Sequence, residues 1–180
     1  MHEFFRLGMD YTIPINDLKE GRHHYEFQVA DKFFEAFPES EVKKCSVNVG
    51  IELTKRSTGV DAVFNLTGKA TVTCDRCLDE FEMPLEYEAH LYFEPGDEPG
   101  EVSDELVVIP RNETHIDMRQ YIYEFINLAI PAQKYHPEDE NGHSACDPEM
   151  IERLNKIKVN QTDNQETDPR WDKLKDLINN

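Results

Sequence analysis

No stretch of this sequence approaches the ~20 consecutive apolar residues that a membrane-spanning helix needs. The N-terminal MHEFFRLGMDYTIPIND has no basic region followed by an apolar one, so no secretory signal is read there. A cytoplasmic, reducing location is the expectation, and structural disulfides are not expected in it. Bases are scarce: 19 Lys and Arg face 37 Asp and Glu, for a formal net charge of −18 and a pI near 4.7. A protein that coats nucleic acid over its whole surface needs the reverse balance, because phosphate binding requires local Lys and Arg. Catalytic signatures are missing too. There is no glycine-rich phosphate loop, no G-x-S-x-G and no H-E-x-x-H. Carboxylates are so abundant that no catalytic pair stands out, and the expectation is a protein that is not an enzyme. No internal repeat of the length that marks a solenoid or propeller is visible.

What the 180 residues do contain is enough apolar material for one core, 38% of the chain, distributed with a period of two. Phe64, Leu66, Gly68, Ala70, Val72 and Cys74 alternate with mostly polar residues, and so do Phe81, Met83, Leu85, Tyr87, Ala89, Leu91 and Phe93. Alternation predicts strands with one buried face. The two runs are joined by CDRCLDE, which places a cysteine pair at the tip of a long antiparallel hairpin. Cys45 to Leu53 and Tyr25 to Val29 read as two more strands, with DKFFEAF between them as a short helix stopped before Pro38. The acid-, Pro- and Gly-rich stretch from Glu94 to Glu105 reads as a loop. LVVIP after it reads as an edge strand ended by Pro110.

The period then changes. Met118, Ile122, Phe125 and Ala129 recur at helical spacing in IDMRQYIYEFINLAIP, with Asp117 and Gln120 as a capping pair and Pro131 as the stop. DPEMIERLNKI begins with Asp147 as N-cap and Pro148 at the first helical position, and DPRWDKLKDLI repeats that design with Asp168 and Pro169. The expected class is therefore α+β: an antiparallel sheet of four or more strands, a long helix packed on it, and short C-terminal helices. Residues 1–159 form a single domain in this reading, and 160–180 a polar linker with a terminal amphipathic helix.

A C-x-x-C turn brings two sulfurs to one side, so Cys74 and Cys77 can share a cation. A structural zinc site wants four ligands, usually Cys and His. YHPEDENGHSAC supplies them: Cys74, Cys77, His136 and Cys146 make a complete set, with His143 as a substitute for His136. Two other readings stay open. The thiols can simply be buried or exposed at a turn, or they can be a redox pair. A redox pair of the thioredoxin kind sits at a helix N-terminus, whereas this one is followed by a strand pattern. Cys45 falls on the inward phase of its strand and reads as a small core residue.

Acid is unevenly spread. From Asp79 to Glu105 there are eleven acidic residues and no Lys or Arg. Such a face suits a basic protein partner; as a plain charge run it is a solvated surface. Contact with RNA would have to come from a small set such as Lys43, Lys44, Lys55, Arg56, Lys69 and Arg76, if strand pairing gathers them.

VTCDRCLDEF after an alternating strand, IDMRQYIYEFINLAIP some 40 residues later, a His/Cys cluster beyond that proline and a closing DPRWDKLKDL together resemble the YceD family. These are bacterial and plastid proteins named for accumulation of large-subunit ribosomal RNA. The resemblance implies a non-enzymatic factor in making or maintaining that RNA; binding the RNA fits the family name, and binding a basic ribosomal protein fits the acidic composition. It also implies that Cys74 and Cys77 are the family's hallmark pair and that Pro131 through Cys146 is its late turn. The alternative function is a zinc- or thiol-dependent enzyme such as a disulfide reductase.

Overall fold

The computed structural model describes residues 4–6, 11–138, 142 and 144–162. Among these residues nine strands form in chain order: β1 (Phe4–Arg6), β2 (Thr12–Pro14), β3 (Gly21–Ala30), β4 (Cys45–Arg56), β5 (Gly59–Thr73), β6 (Glu80–Gly96), β7 (Gly100–Ser103), β8 (Leu106–Pro110) and β9 (His115–Asp117). A 3-10 helix occupies Asp31–Ala36, and two α-helices follow the strands, α1 (Arg119–Leu128) and α2 (Pro148–Thr162). Seven strands make one sheet in the order β1-β3-β4-β5-β6-β8-β7, and β2 pairs with β9 in a second, two-stranded sheet.

The chain divides into two compact units. The larger contains Met1–Thr73 and Glu80–Lys134; the smaller joins Cys74–Asp79 to the chain from Tyr135 onward. The larger unit is organised around its hairpins. β4 and β5 pair from Cys45↔Ala70 to Arg56↔Gly59, and β5 and β6 from Val60↔Phe93 to Thr73↔Glu80, without a break in register. Period-two alternation fixes that register, because a slip of one residue would turn every apolar side chain to water. Val47, Val49, Ile51 and Leu53 of β4, Phe64 and Leu66 of β5, and Leu91 and Phe93 of β6 are almost fully buried. They are covered by Ile13, Ile116, Met118 and the inward side of α1, namely Ile122, Phe125 and Ile126. Phe125 meets Phe64 edge-on at 5.0 Å, and Tyr123 stacks on Phe37 at 4.0 Å.

The expected α+β class with a long packed helix is not what forms; the protein is mostly sheet. The helix that forms, α1, has ten residues, and the three residues before Met118, His115–Asp117, pair with β2. Asp117 Oδ1 accepts from the Arg119 N–H at 2.9 Å, while Gln120 turns to Glu124, so the anticipated capping pair is not made. The sheet is also mixed, not antiparallel: β1 runs parallel to β3, and β8 parallel to β6. Part of the acidic loop is strand β7, which takes the edge that LVVIP was expected to hold. Asp147 and Pro148 do open α2: the Glu149 N–H donates to Asp147 Oδ1 at 3.0 Å. That helix continues through the start of the expected linker to Thr162. The expected final helix from Asp168 lies outside the described residues. No helix among the described residues is long and apolar enough to cross a membrane.

Candidate metal centre

Cys74, Cys77, His136 and Cys146 all belong to the smaller unit. The first two are set by the turn that interrupts the β5–β6 hairpin. The Cys74 N–H donates to the Asp79 carbonyl at 2.9 Å and the Leu78 N–H donates to the Cys74 carbonyl at 3.0 Å, closing a tight loop. Leu78 has φ of +66° and is the only non-glycine with positive φ among the described residues. A leucine in the left-handed region is strained. The strain sits next to the second cysteine, where it folds the loop back and keeps both sulfurs on one side.

The other two ligand residues come from the segment before α2. Glu138 and Ser144 form an isolated antiparallel bridge, and the Ala145 N–H donates to the Pro137 carbonyl at 3.4 Å. This brings His136 and Cys146 together although ten positions separate them. The Cys146 N–H donates to Ser144 Oγ at 3.3 Å, and the next residue caps α2, so the helix start anchors the thiol. The Arg76 guanidinium lies 4.1 Å over the Tyr135 ring, a cation–π contact between the knuckle and the residue beside His136.

The result is a cluster in which one ligand atom from each of the four residues lies within 4.8 Å of every other. Cys74 Sγ is 3.7 Å from Cys146 Sγ, and His136 Nδ1 is 3.4 Å from Cys77 Sγ and 3.6 Å from Cys146 Sγ. Zinc–sulfur bonds of about 2.3 Å and zinc–nitrogen bonds of about 2.0–2.1 Å at tetrahedral angles put sulfurs about 3.8 Å apart and sulfur and nitrogen about 3.6 Å apart. The three spacings match those edges closely, so these residues fit a tetrahedral cation. Three thiols and one imidazole are a soft donor set, which favours zinc over magnesium or calcium. The His143 alternative lies outside the described residues.

All three thiols are free and buried. Burial opposes ionisation of Cys74, but N–H groups of Cys77, Arg76 and His136, with the His136 ring, overcome it and lower the thiol to about 6. The Arg76 N–H is 3.4 Å from that sulfur. Cys77 shifts the other way: burial and the neighbouring thiols of Cys74 and Cys146 raise it, against N–H groups of Asp147 and Asp79. Three thiols in contact cannot all ionise without a compensating charge, and a divalent cation supplies one. Cys45 is separate. Its thiol lies in the core near the Val29 carbonyl, and burial with the charge of Asp31 pushes it up to about 12. It is the small core residue expected of it.

The basic set proposed for RNA contact is not gathered into a patch. Lys44 and Lys55 stand at opposite ends of β4, about 36 Å apart at strand rise. Lys44 pairs with Glu80, Lys69 with Glu82 and Arg56 with Asp61, while Lys55 Nζ donates to the carbonyls of Ile15 and Leu18. Sequence reasoning found the four clustered residues from spacing alone. It missed Tyr135 and Ser144, whose ring and hydroxyl have no signature until the loop is folded.

No curated protein matches the chain, and no solved structure does. A family model does match, that of the large ribosomal RNA subunit accumulation protein YceD, over residues 62–178, a span that contains most of the β5–β6 hairpin, the acidic stretch and all four clustered residues, and the chain belongs to that family.

Proposed function

We propose that this protein is a non-enzymatic binding factor in the accumulation of large-subunit ribosomal RNA, holding a basic ribosomal protein on its acidic strand. A structural zinc at Cys74, Cys77, His136 and Cys146 keeps its smaller unit folded. The family is named for accumulation and not for a reaction. The metal set supports the same reading: four protein ligands complete a tetrahedron and leave no open position for a catalytic water. The C-x-x-C pair, Cys74 and Cys77, leads into strand β6 and not into a helix, unlike the pair that a disulfide reductase of the thioredoxin kind uses.

The observation that carries the choice of partner is the distribution of paired charge. The cations that would grip phosphate are dispersed and engaged. Glu86 and Glu88 lie opposite the uncharged Thr67 and Asn65, and neither has an ion pair among the described residues. Residues two apart share a strand face, so Glu80, Glu82, Glu86 and Glu88 form one row; Lys44 and Lys69 offset the first two, and a basic partner would relieve the charge of Glu86 and Glu88.

The test is capture of large-subunit components from lysate with and without ribonuclease. Capture by the wild type is expected to survive ribonuclease and to fall steeply as salt shortens the Debye length below ~10 Å. Changing Glu80, Glu82, Glu86 and Glu88 together to Gln is expected to reduce it at least about tenfold, and changing Lys43, Lys44, Lys55 and Arg56 to alter it little. If the basic set proves essential and the acidic set dispensable, the protein grips RNA directly and this reading is wrong.

A further inference from the structure

β6 is paired on one side along almost its whole length, from Glu80 to Phe93, with β5. On its other side it meets β8 only from Tyr92 to Gly96. From Glu80 to Leu91, that second edge borders no strand among the described residues. Its polarity follows from one bond. The Tyr92 N–H donates outward, to the Glu105 carbonyl at 2.7 Å. Because the β5–β6 register is unbroken, every even-numbered residue of β6 turns its N–H and C=O the same way. Glu82, Glu86, Glu88 and His90 therefore present unpaired ladder groups along this edge. Pro84 fits the assignment: it falls on an outward position, where its missing N–H costs no bond to β5.

An open edge of this length, roughly 35 Å, is a template for another strand. Beside its far half lies a groove of about 850 Å³ between β6, the β7–β8 turn and α1. Its walls carry two of the few large apolar side chains exposed among the described residues, Val102 (65%) and Leu128 (63%), and its rim carries Glu88, Glu101 and Glu124. A second copy of this chain would set its own glutamate row against this one, and RNA would bring phosphates to the same carboxylates. A segment with alternating cationic and apolar residues matches both faces of the edge.

We infer that the open edge of β6 binds an extended basic segment of a protein partner as an added strand. Its ladder bonds are made to Glu82, Glu86, Glu88 and His90. Its cations lie over the glutamate row, and its apolar residues enter the groove beside Leu128. This rests on the basic-protein reading above and adds to it the mode of binding: backbone pairing supplies affinity, and the alternation of the partner's side chains supplies specificity.

The probe is a ten-residue peptide of alternating lysine and valine. Its controls are the same peptide N-methylated at every amide, which keeps the charge but has no N–H to donate from either edge, and a uridine 20-mer. The alternating peptide is expected to bind and to slow hydrogen exchange at the amides of Glu82, Glu86, Glu88 and His90 at least about tenfold, whereas the N-methylated peptide binds at least about tenfold more weakly. Glu88→Pro, which removes an outward N–H, is expected to weaken binding about tenfold beyond Glu88→Gln, which removes only the charge. Equal binding of the two peptides overturns the added strand and leaves only a charge contact. So does self-association through this edge without peptide, or binding of the uridine 20-mer in place of the peptide. The lysate capture separates the two readings. If wild type and Glu88→Pro capture equally, the edge proposal fails and the basic-protein reading stands; if wild type captures nothing, the basic-protein reading fails with it.

Discussion

Cys74→Ser is expected to strip zinc from the protein and melt the smaller unit while the sheet persists. Among the described residues, that unit buries almost no apolar surface apart from Cys74, Cys77 and Cys146 themselves. Everything else that forms the core belongs to the larger unit, where it is gathered from Tyr11 to Ile126. With so little else buried among its described residues, this unit draws its folding energy chiefly from the metal. Zinc bound by such sites contributes an apparent ~10–16 kcal/mol near neutral pH, and that binding is the folding. Serine is a poor ligand for zinc, and one lost thiolate leaves the tetrahedron open. Zinc content is therefore expected to fall from about one per chain to below about a tenth, measured on protein purified without chelator. The helical part of the circular dichroism spectrum should fall with it as α2 is lost, while the sheet signal remains. A strong chelator should reproduce both changes in the wild type. Acid should as well, because three thiols and an imidazole must lose protons before they bind. If the wild type carries no metal at the start and Cys74→Ser melts as it does, the knuckle is only a turn.

The four residues of the cluster were legible because their chemistry is carried by rare residue types. With four cysteines and seven histidines in the chain, the combination of C-x-x-C with a late His/Cys group left few alternatives. The strands were legible for a different reason. β4, β5 and β6 each have one face buried against a single core, so the alternation in sequence is the alternation in burial. What the sequence did not disclose were the pairings that carry little hydrophobic signal. β1, β2, β7 and β9 have three or four residues each, too short for a periodicity, and β2 and β9 are defined by each other from far apart in the chain. β9 matters most. Met118 was read into the helical stripe and Ile116 into no element, yet Ile116 is a strand residue opposite Ile13, and the helix begins only after Met118. A residue at a helix boundary and a residue in a buried strand are equally apolar, and only the β2 partner decides between them. The same kind of omission hid the open edge of β6. Edge or interior is a property of neighbours, and β8 covers only the last few residues of that strand. Pro84 was the one signal available, since a proline within a long strand points to an edge.

Gly68→Ala should be among the most damaging single substitutions in the sheet, although it adds one methyl group. Gly68 lies in β5 between Val47 of β4 and Leu85 of β6, at the centre of the order β4-β5-β6. A Cβ built there would come 2.2 Å from the Ser46 carbonyl oxygen and 2.7 Å from the Val47 Cα. Both are backbone atoms, so no rotamer change relieves the clash. β4 would have to move away, and with it the register that holds Val47, Val49, Ile51 and Leu53 in the core. Overpacking a well-filled site typically costs 1–3 kcal/mol, and a backbone obstruction belongs at the upper end, about 3 kcal/mol. For a chain of this size that lowers the thermal midpoint by roughly 6–12 °C. Gly50 is the internal control. It occupies the neighbouring strand, paired with Glu26 and Asn65, but a Cβ there meets nothing closer than 3.7 Å. Gly50→Ala restricts the unfolded chain without a clash, and is expected to stabilise by about 0.4–1 kcal/mol. Denaturant unfolding monitored on the sheet signal measures both. The opposite signs are the test: if Gly68→Ala and Gly50→Ala shift the midpoint in the same direction, the close approach of β4 to β5 at Gly68 does not govern the stability of the sheet.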